Sequence, residues 1–233
     1  MANIFTAQSK RKFHAVILLI LGVVGGLIGW LYFLNFNDHD YTPTQPVAFS
    51  HKKHVEELKM DCTACHTAAY HSPKAGLPDT QSCLNCHKHI LPDSPLIAPL
   101  RKAADPQYKN YTGAPIRWIQ ISRLAGHARF NHMVHVNRGI GCTSCHGDVS
   151  QMETTSQSQQ ARMKWCMDCH RSPASHLRPL EYITEADYSA EKFLKSHKII
   201  HNNKQITTQQ ELGEFLQQQW KIRPSLNCTS CHQ

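Results

Sequence analysis

Phe130–His146 reads FNHMVHVNRGIGCTSCH, and its last five residues decide how the chain folds. Cys142 and Cys145 stand three apart and His146 follows directly. Each thiol can add to a porphyrin vinyl group while the imidazole turns under the ring and takes the iron, which is the spacing of c-type haem attachment. Upstream stand two further imidazoles, His132 and His135. On one helical turn their Cβ atoms would lie about 5–6 Å apart on neighbouring faces. That is too close for opposite sides of one iron, so the pair reads as ligands for two different haems.

The CxxCH pattern recurs until it has used every cysteine in the 233 residues. The ten fall into Cys62/Cys65/His66, Cys83/Cys86/His87, Cys142/Cys145/His146, Cys166/Cys169/His170 and Cys228/Cys231/His232. Zinc ribbons need such pairs in twos, and disulfides have no use for a following histidine. At this chain's histidine frequency, a histidine after all five pairs by chance is on the order of one in a million. Five covalent c-type haems are the expectation.

A formal charge of +8 would ordinarily raise nucleic acid or an anionic membrane as partners. Five haems would bring up to about ten propionate charges, which offset the excess of Lys and Arg, so no nucleic acid is expected. Arg117, Arg138, Arg171 and Arg178 then read as propionate partners or solvated charges. Aromatic residues make up only 8% of the chain, so the haems are expected to supply much of the core in under roughly 200 residues of mostly α and irregular structure.

Along the chain, residues 1–14 form a basic N-terminus with Lys10, Arg11 and Lys12 against an uncharged run from Ala15 to Leu34. Twenty such residues span about 30 Å of hydrocarbon and exceed a signal-peptide core. Residues 15–36 are therefore expected to be an uncleaved signal-anchor helix in the cytoplasmic (inner) membrane. The basic flank places the N-terminus in the cytoplasm and the haem domain, residues 49–233, in the periplasm. Gly22, Gly25, Gly26 and Gly29 give two overlapping GxxxG spacings suited to a close helix partner. Residues 37–48 read as a linker.

Phe49–His66, FSHKKHVEELKMDCTACH, repeats the opening stretch with six residues before the first cysteine in place of five. Each copy leads to a second CxxCH, which makes dihaem units of 49–88 and 130–171 and leaves a fifth haem at 228–232. The prolines at 92, 95, 99, 106 and 115 make 89–117 a wrapped loop with short helical turns. Residues 150–162, rich in Gln and Ser, read as an exposed loop. A helix is expected within Glu185–Ile200, and a clearer one after Thr208, whose capping box with Glu211 precedes Leu212, Phe215, Leu216 and Trp220 on one face. Pro224 ends it.

Five proximal histidines leave twelve others. His14 and His39 lie in the anchor flank and linker and are not expected to bind iron. His51, His54, His132 and His135 are the leading distal ligands, the first of each pair serving its own CxxCH and the second reaching another haem. For the fifth iron, His71 and Met152 occupy comparable places after His66 and His146, and Met163 stands three before Cys166. His127, His176, His197 and His201 are further options. A methionine ligand would raise that haem's potential above its bis-histidine neighbours.

VAFSHKKH, CTACH, PIRWIQI, RFNHMVHVNRGIGCTSCHG with QMET, KWCMDCHRSPASHLRPLEY and NCTSCH together resemble the pentahaem cytochrome c subunit of alternative complex III, the quinol-oxidising respiratory complex. The Phe-x-His-x-x-His element alone is shared more widely, with class III multihaem cytochromes. The resemblance implies an anchored periplasmic domain that passes electrons onward to a periplasmic cytochrome c or terminal oxidase. It also implies as partners an iron–sulfur/molybdopterin-type subunit, polytopic quinol-binding subunits and a monohaem cytochrome c. It favours a methionine ligand, Met152 or Met163, on one iron. Where the family often carries a histidine this chain has Ser122, which leaves His71 and His127 to be weighed as substitutes. Saturated irons imply electron transfer with no substrate chemistry of the chain's own. The alternatives are a stand-alone membrane quinol dehydrogenase feeding a periplasmic reductase, and a multihaem reductase with one open iron.

Overall fold

The computed structural model describes residues 7–36 and 40–232. Residues 1–6 of the basic N-terminus, and 37–39 of the linker with His39, lie outside them. The chain divides into two units, Met1–His39 and Asp40–Gln233. The first is α1 (Ala7–Phe36), a helix in which Ser9–Phe33 is long and apolar enough to cross a membrane. Its four glycines leave open space on the helix surface.

The second unit is mostly short helices and irregular chain. Seven helices follow: α2 (Thr80–His87), α3 (Ala98–Ala104), α4 (His132–Val136), α5 (Thr143–His146), α6 (Met163–Arg171), α7 (Ala190–Ser196) and α8 (Gln209–Gln219). Lys52–Glu57 forms a π-helical turn, and Cys62–Ala64 and Cys228–Ser230 form 3-10 turns. The only sheet among the described residues is an antiparallel pair, β1 (Ile200–His201) and β2 (Lys204–Gln205).

Two apolar clusters anchor this unit. Val47, Leu84, Ile97 and Leu100 pack together beneath Ile116 and Trp118, which joins the start of the unit to α2 and α3. Pro99 in the first turn of α3 lets the proline-rich segment form a helix there, because a proline at that position loses no helical hydrogen bond. The second cluster gathers Leu177, Phe193, Leu194, Ile206, Leu212 and Leu216. Here α8 lies on the turn Pro173–His176 so closely that a Cβ on Gly213 would clash with the Ala174 carbonyl oxygen. Gln209 fastens the contact by donating to the carbonyls of Ala174 and Leu177 at 3.0 and 2.7 Å.

Three expectations need correction. The helix expected within Glu185–Ile200 covers only Ala190–Ser196. Asn202 and Asn203, at φ 49° and 59°, make a two-residue hairpin turn that draws Ile200 and His201 into β1. Residues 150–162 are not simply exposed, since Ser150 and Gln157 are buried and Gln157 exchanges backbone hydrogen bonds with Asp40 and Tyr41. Arg178 is not solvated. It is buried, donates to Tyr182 O, Glu185 O and Thr143 Oγ1, and lies 4.6 Å over the Tyr188 ring.

Candidate haem-binding site

Every CxxCH sits on a helical turn, which sets its cysteines on one face and its histidine just beyond. The local hydrogen bonding repeats. His66 N–H donates to Cys62 O at 2.9 Å, His146 to Cys142 O at 3.0 Å and His232 to Cys228 O at 2.9 Å. The two Phe-x-His-x-x-His copies also match each other. Phe49 stacks on His54 with ring centres 4.5 Å apart and meets His51 edge-on at 4.9 Å. Phe130 stacks on His135 at 4.3 Å and meets His132 edge-on at 4.8 Å. In both copies the phenylalanine fixes its two imidazoles at a steep angle to each other.

Four of the five histidines that follow a cysteine pair face a second imidazole at close range. Ring centres are 6.0 Å apart for His54 and His87, 6.3 Å for His132 and His146, 6.1 Å for His135 and His170, and 5.4 Å for His127 and His232. His66 has His51 as its neighbour: burial, then the nearby His66, His54 and His146, hold His51 down to about 4. Burial likewise lowers His135 and His146. These rings are therefore neutral near pH 7 and keep a lone pair for a metal.

The contact sequence reasoning missed as a leading one is His127 with His232. A β-bridge from Ala128 to His232 and a bond from Arg129 N–H to Cys231 O bring two segments about a hundred residues apart into register. His232 Nδ1 completes the contact at 3.2 Å from His127 O. His71 is exposed, Met163 is 61% exposed, and the Met152 sulfur accepts from Ser156 Oγ at 3.8 Å. His197 stacks on Phe193, and His201 meets Phe215 in the C-terminal cluster.

The two copies also hold each other. Lys52 N–H donates to Met152 O at 3.1 Å, and Met133 N–H donates to Ser72 O at 3.2 Å. His51 Nδ1 meets Thr155 Oγ1 at 2.9 Å, and His132 Nδ1 donates to Pro73 O at 3.0 Å. Thus the 150–162 segment, with Ser158 donating to His146 O at 2.8 Å, is part of the histidine cluster's frame.

These features have a counterpart among known proteins. Residues 47–97 match the family described as cytochrome c7 and related cytochrome c. The chain is also 31% identical, over 146 residues, to the menaquinone reductase multiheme cytochrome c subunit of Nitratidesulfovibrio vulgaris (strain Hildenborough), covering 54% of this chain and 67% of that protein. The chain belongs to the multihaem cytochromes c, electron-transfer proteins with covalently attached haem.

The histidines present fit that group. A metal–imidazole bond is about 2 Å long, so an iron between two imidazoles holds their ring centres roughly 6 Å apart. The four pairs, at 6.0, 6.3, 6.1 and 5.4 Å, lie close to that separation. Nδ1 also lies against a backbone carbonyl in His54, His66, His87, His132, His135, His170 and His232. A carbonyl can only accept, so the proton resides on Nδ1 and the Nε2 lone pair is left for iron.

Proposed function

We propose that the chain carries five c-type haems and is the electron-transfer subunit of a quinone-linked membrane complex. The observation that carries this reading is the pairing of each CxxCH histidine with a second imidazole. His66, His87, His146, His170 and His232 are the proximal ligands, and His51, His54, His132, His135 and His127 are the distal ones. Haem iron, when bound, supplies one-electron chemistry at a six-coordinate centre. The chain's own part is to fill both axial positions, which excludes substrate, and to orient the imidazoles through their carbonyl acceptors and the stacked Phe49 and Phe130.

In this reading α1 anchors the chain in the cytoplasmic membrane with its N-terminus inside and residues 49–233 in the periplasm. The motifs quoted above favour a quinol-oxidising complex of the alternative complex III type, with iron–sulfur/molybdopterin-type, polytopic quinol-binding and monohaem subunits. The Nitratidesulfovibrio relative favours a second reading, a complex that delivers electrons to menaquinone.

Purification of the native complex tests both. Five haems per chain by pyridine haemochrome, with rapid haem reduction by added quinol, is the expected result. Reduced haems that empty onto added quinone, but are not filled by quinol, would establish the second reading. A chain isolated without membrane partners would exclude both.

A further inference from the structure

The five motifs do not follow one another in space as they do in sequence. We infer that the chain arranges its attachment sites as one unbranched path, Cys83–Cys86, then Cys62–Cys65, Cys142–Cys145, Cys166–Cys169 and Cys228–Cys231, with electrons entering and leaving at the two ends. This rests on the five-haem reading above and adds the route.

Each link has its own contacts. The second and first motifs are joined by the turn Lys52–Glu57 and the residue before it, because His54 faces His87 while His51 lies beside His66. The first and third motifs meet directly. Consecutive residues hold both motifs, Thr184 O lying 3.4 Å from Cys62 Sγ and Ile183 O accepting from Cys142 N–H at 3.1 Å. The Lys52–Met152 and Met133–Ser72 bonds close the same junction from both sides.

The third and fourth motifs share α4, which turns His132 to His146 and His135 to His170. The fourth and fifth are joined when His170 Nδ1 donates to Ser225 O at 2.7 Å and Ser225 Oγ meets Ser230 Oγ, between Cys228 and Cys231, at 2.7 Å. Exposure marks the ends independently. Cys86 and Cys228 are the two exposed cysteines of the ten, and they belong to the first and last sites of the path. Each transfer moves one electron, oxidising one site as the next is reduced, from a quinol-derived donor to a one-electron acceptor.

Electron cryomicroscopy of the full holoprotein in its membrane complex reads the order directly as nearest-neighbour irons. Potentiometric titration followed by EPR reads it a second way, using His54→Met, His51→Met and His127→Met, each of which raises the potential of one haem. His54→Met and His127→Met should each shift one neighbouring haem, and His51→Met should shift two. A direct neighbour relation between the second and third motifs, or between the fifth and first, would overturn the path. Fewer than five haems per chain would remove the five-haem reading and the path with it. A His127→Met variant with an unaltered fifth haem would discard that ligand, while the neighbour order in the wild-type protein still decides the route.

Discussion

Phe130 is placed to orient the proposed haem ligands without itself touching iron. Its ring stacks on His135 and presents its edge to His132, so it sets both imidazole planes. Phe130→Leu should cost about 1 kcal/mol, the usual worth of an aromatic pair beyond its buried area. It should also change the low-spin EPR signals of the proposed haems of His146 and His170, because both His132 and His135 are freed to rotate. Thermal unfolding and EPR of the variant check both effects. Much of this site could be read from the chain, since the CxxCH motifs and the Phe-x-His-x-x-His copies are local patterns. His127 was only one of several options, because its match to His232 depends on a bridge between distant segments and no spacing encodes that. Met152 holds a special place in the repeat, and there its backbone carbonyl receives Lys52 N–H.

Among the elements, α8 carries the sharpest expectations. Gly213→Ala would gain about 1 kcal/mol in helix propensity. It would also drive a methyl group into the Ala174 carbonyl, and overpacking against backbone costs about 1–3 kcal/mol or more. The net result should be a lower melting temperature, measured by circular dichroism. The capping box gives a pH signature. The Glu211 carboxylate, bonded to Lys204 and then to Thr207 N–H, is held down to about 2 from an ordinary value of 4.5. The unfolded chain therefore takes up the proton first. This support is complete above about pH 4.5 and is lost as pH falls towards 2. Glu211→Gln should flatten the stability profile across that window in acid titrations. The helix was legible because capping residues and an apolar stripe point the same way. The hairpin after α7 was not, since Ile200 and His201 continue a helical pattern until two asparagines in left-handed conformation end it.

For the whole molecule, fifteen hydrophobic side chains are buried among the described residues, a small core for the unit Asp40–Gln233. The bound haems should therefore act as core. Chain produced without haem attachment should lack a cooperative melt and be cut rapidly by protease across 49–171, whereas the holoprotein should resist; calorimetry and limited proteolysis measure this. The reciprocal bonds between the copies carry a further meaning. Lys52 and Met133 are equivalent positions, as are Met152 and Ser72, and Cys62 meets its own counterpart Cys142. Such exchange of identical contacts is the mark of a two-fold axis in a symmetric dimer. Here the axis runs inside one polypeptide, so the first four motifs have the form of a homodimer of two-motif proteins fused into a single chain, with the fifth motif added at one end to make the two termini unlike.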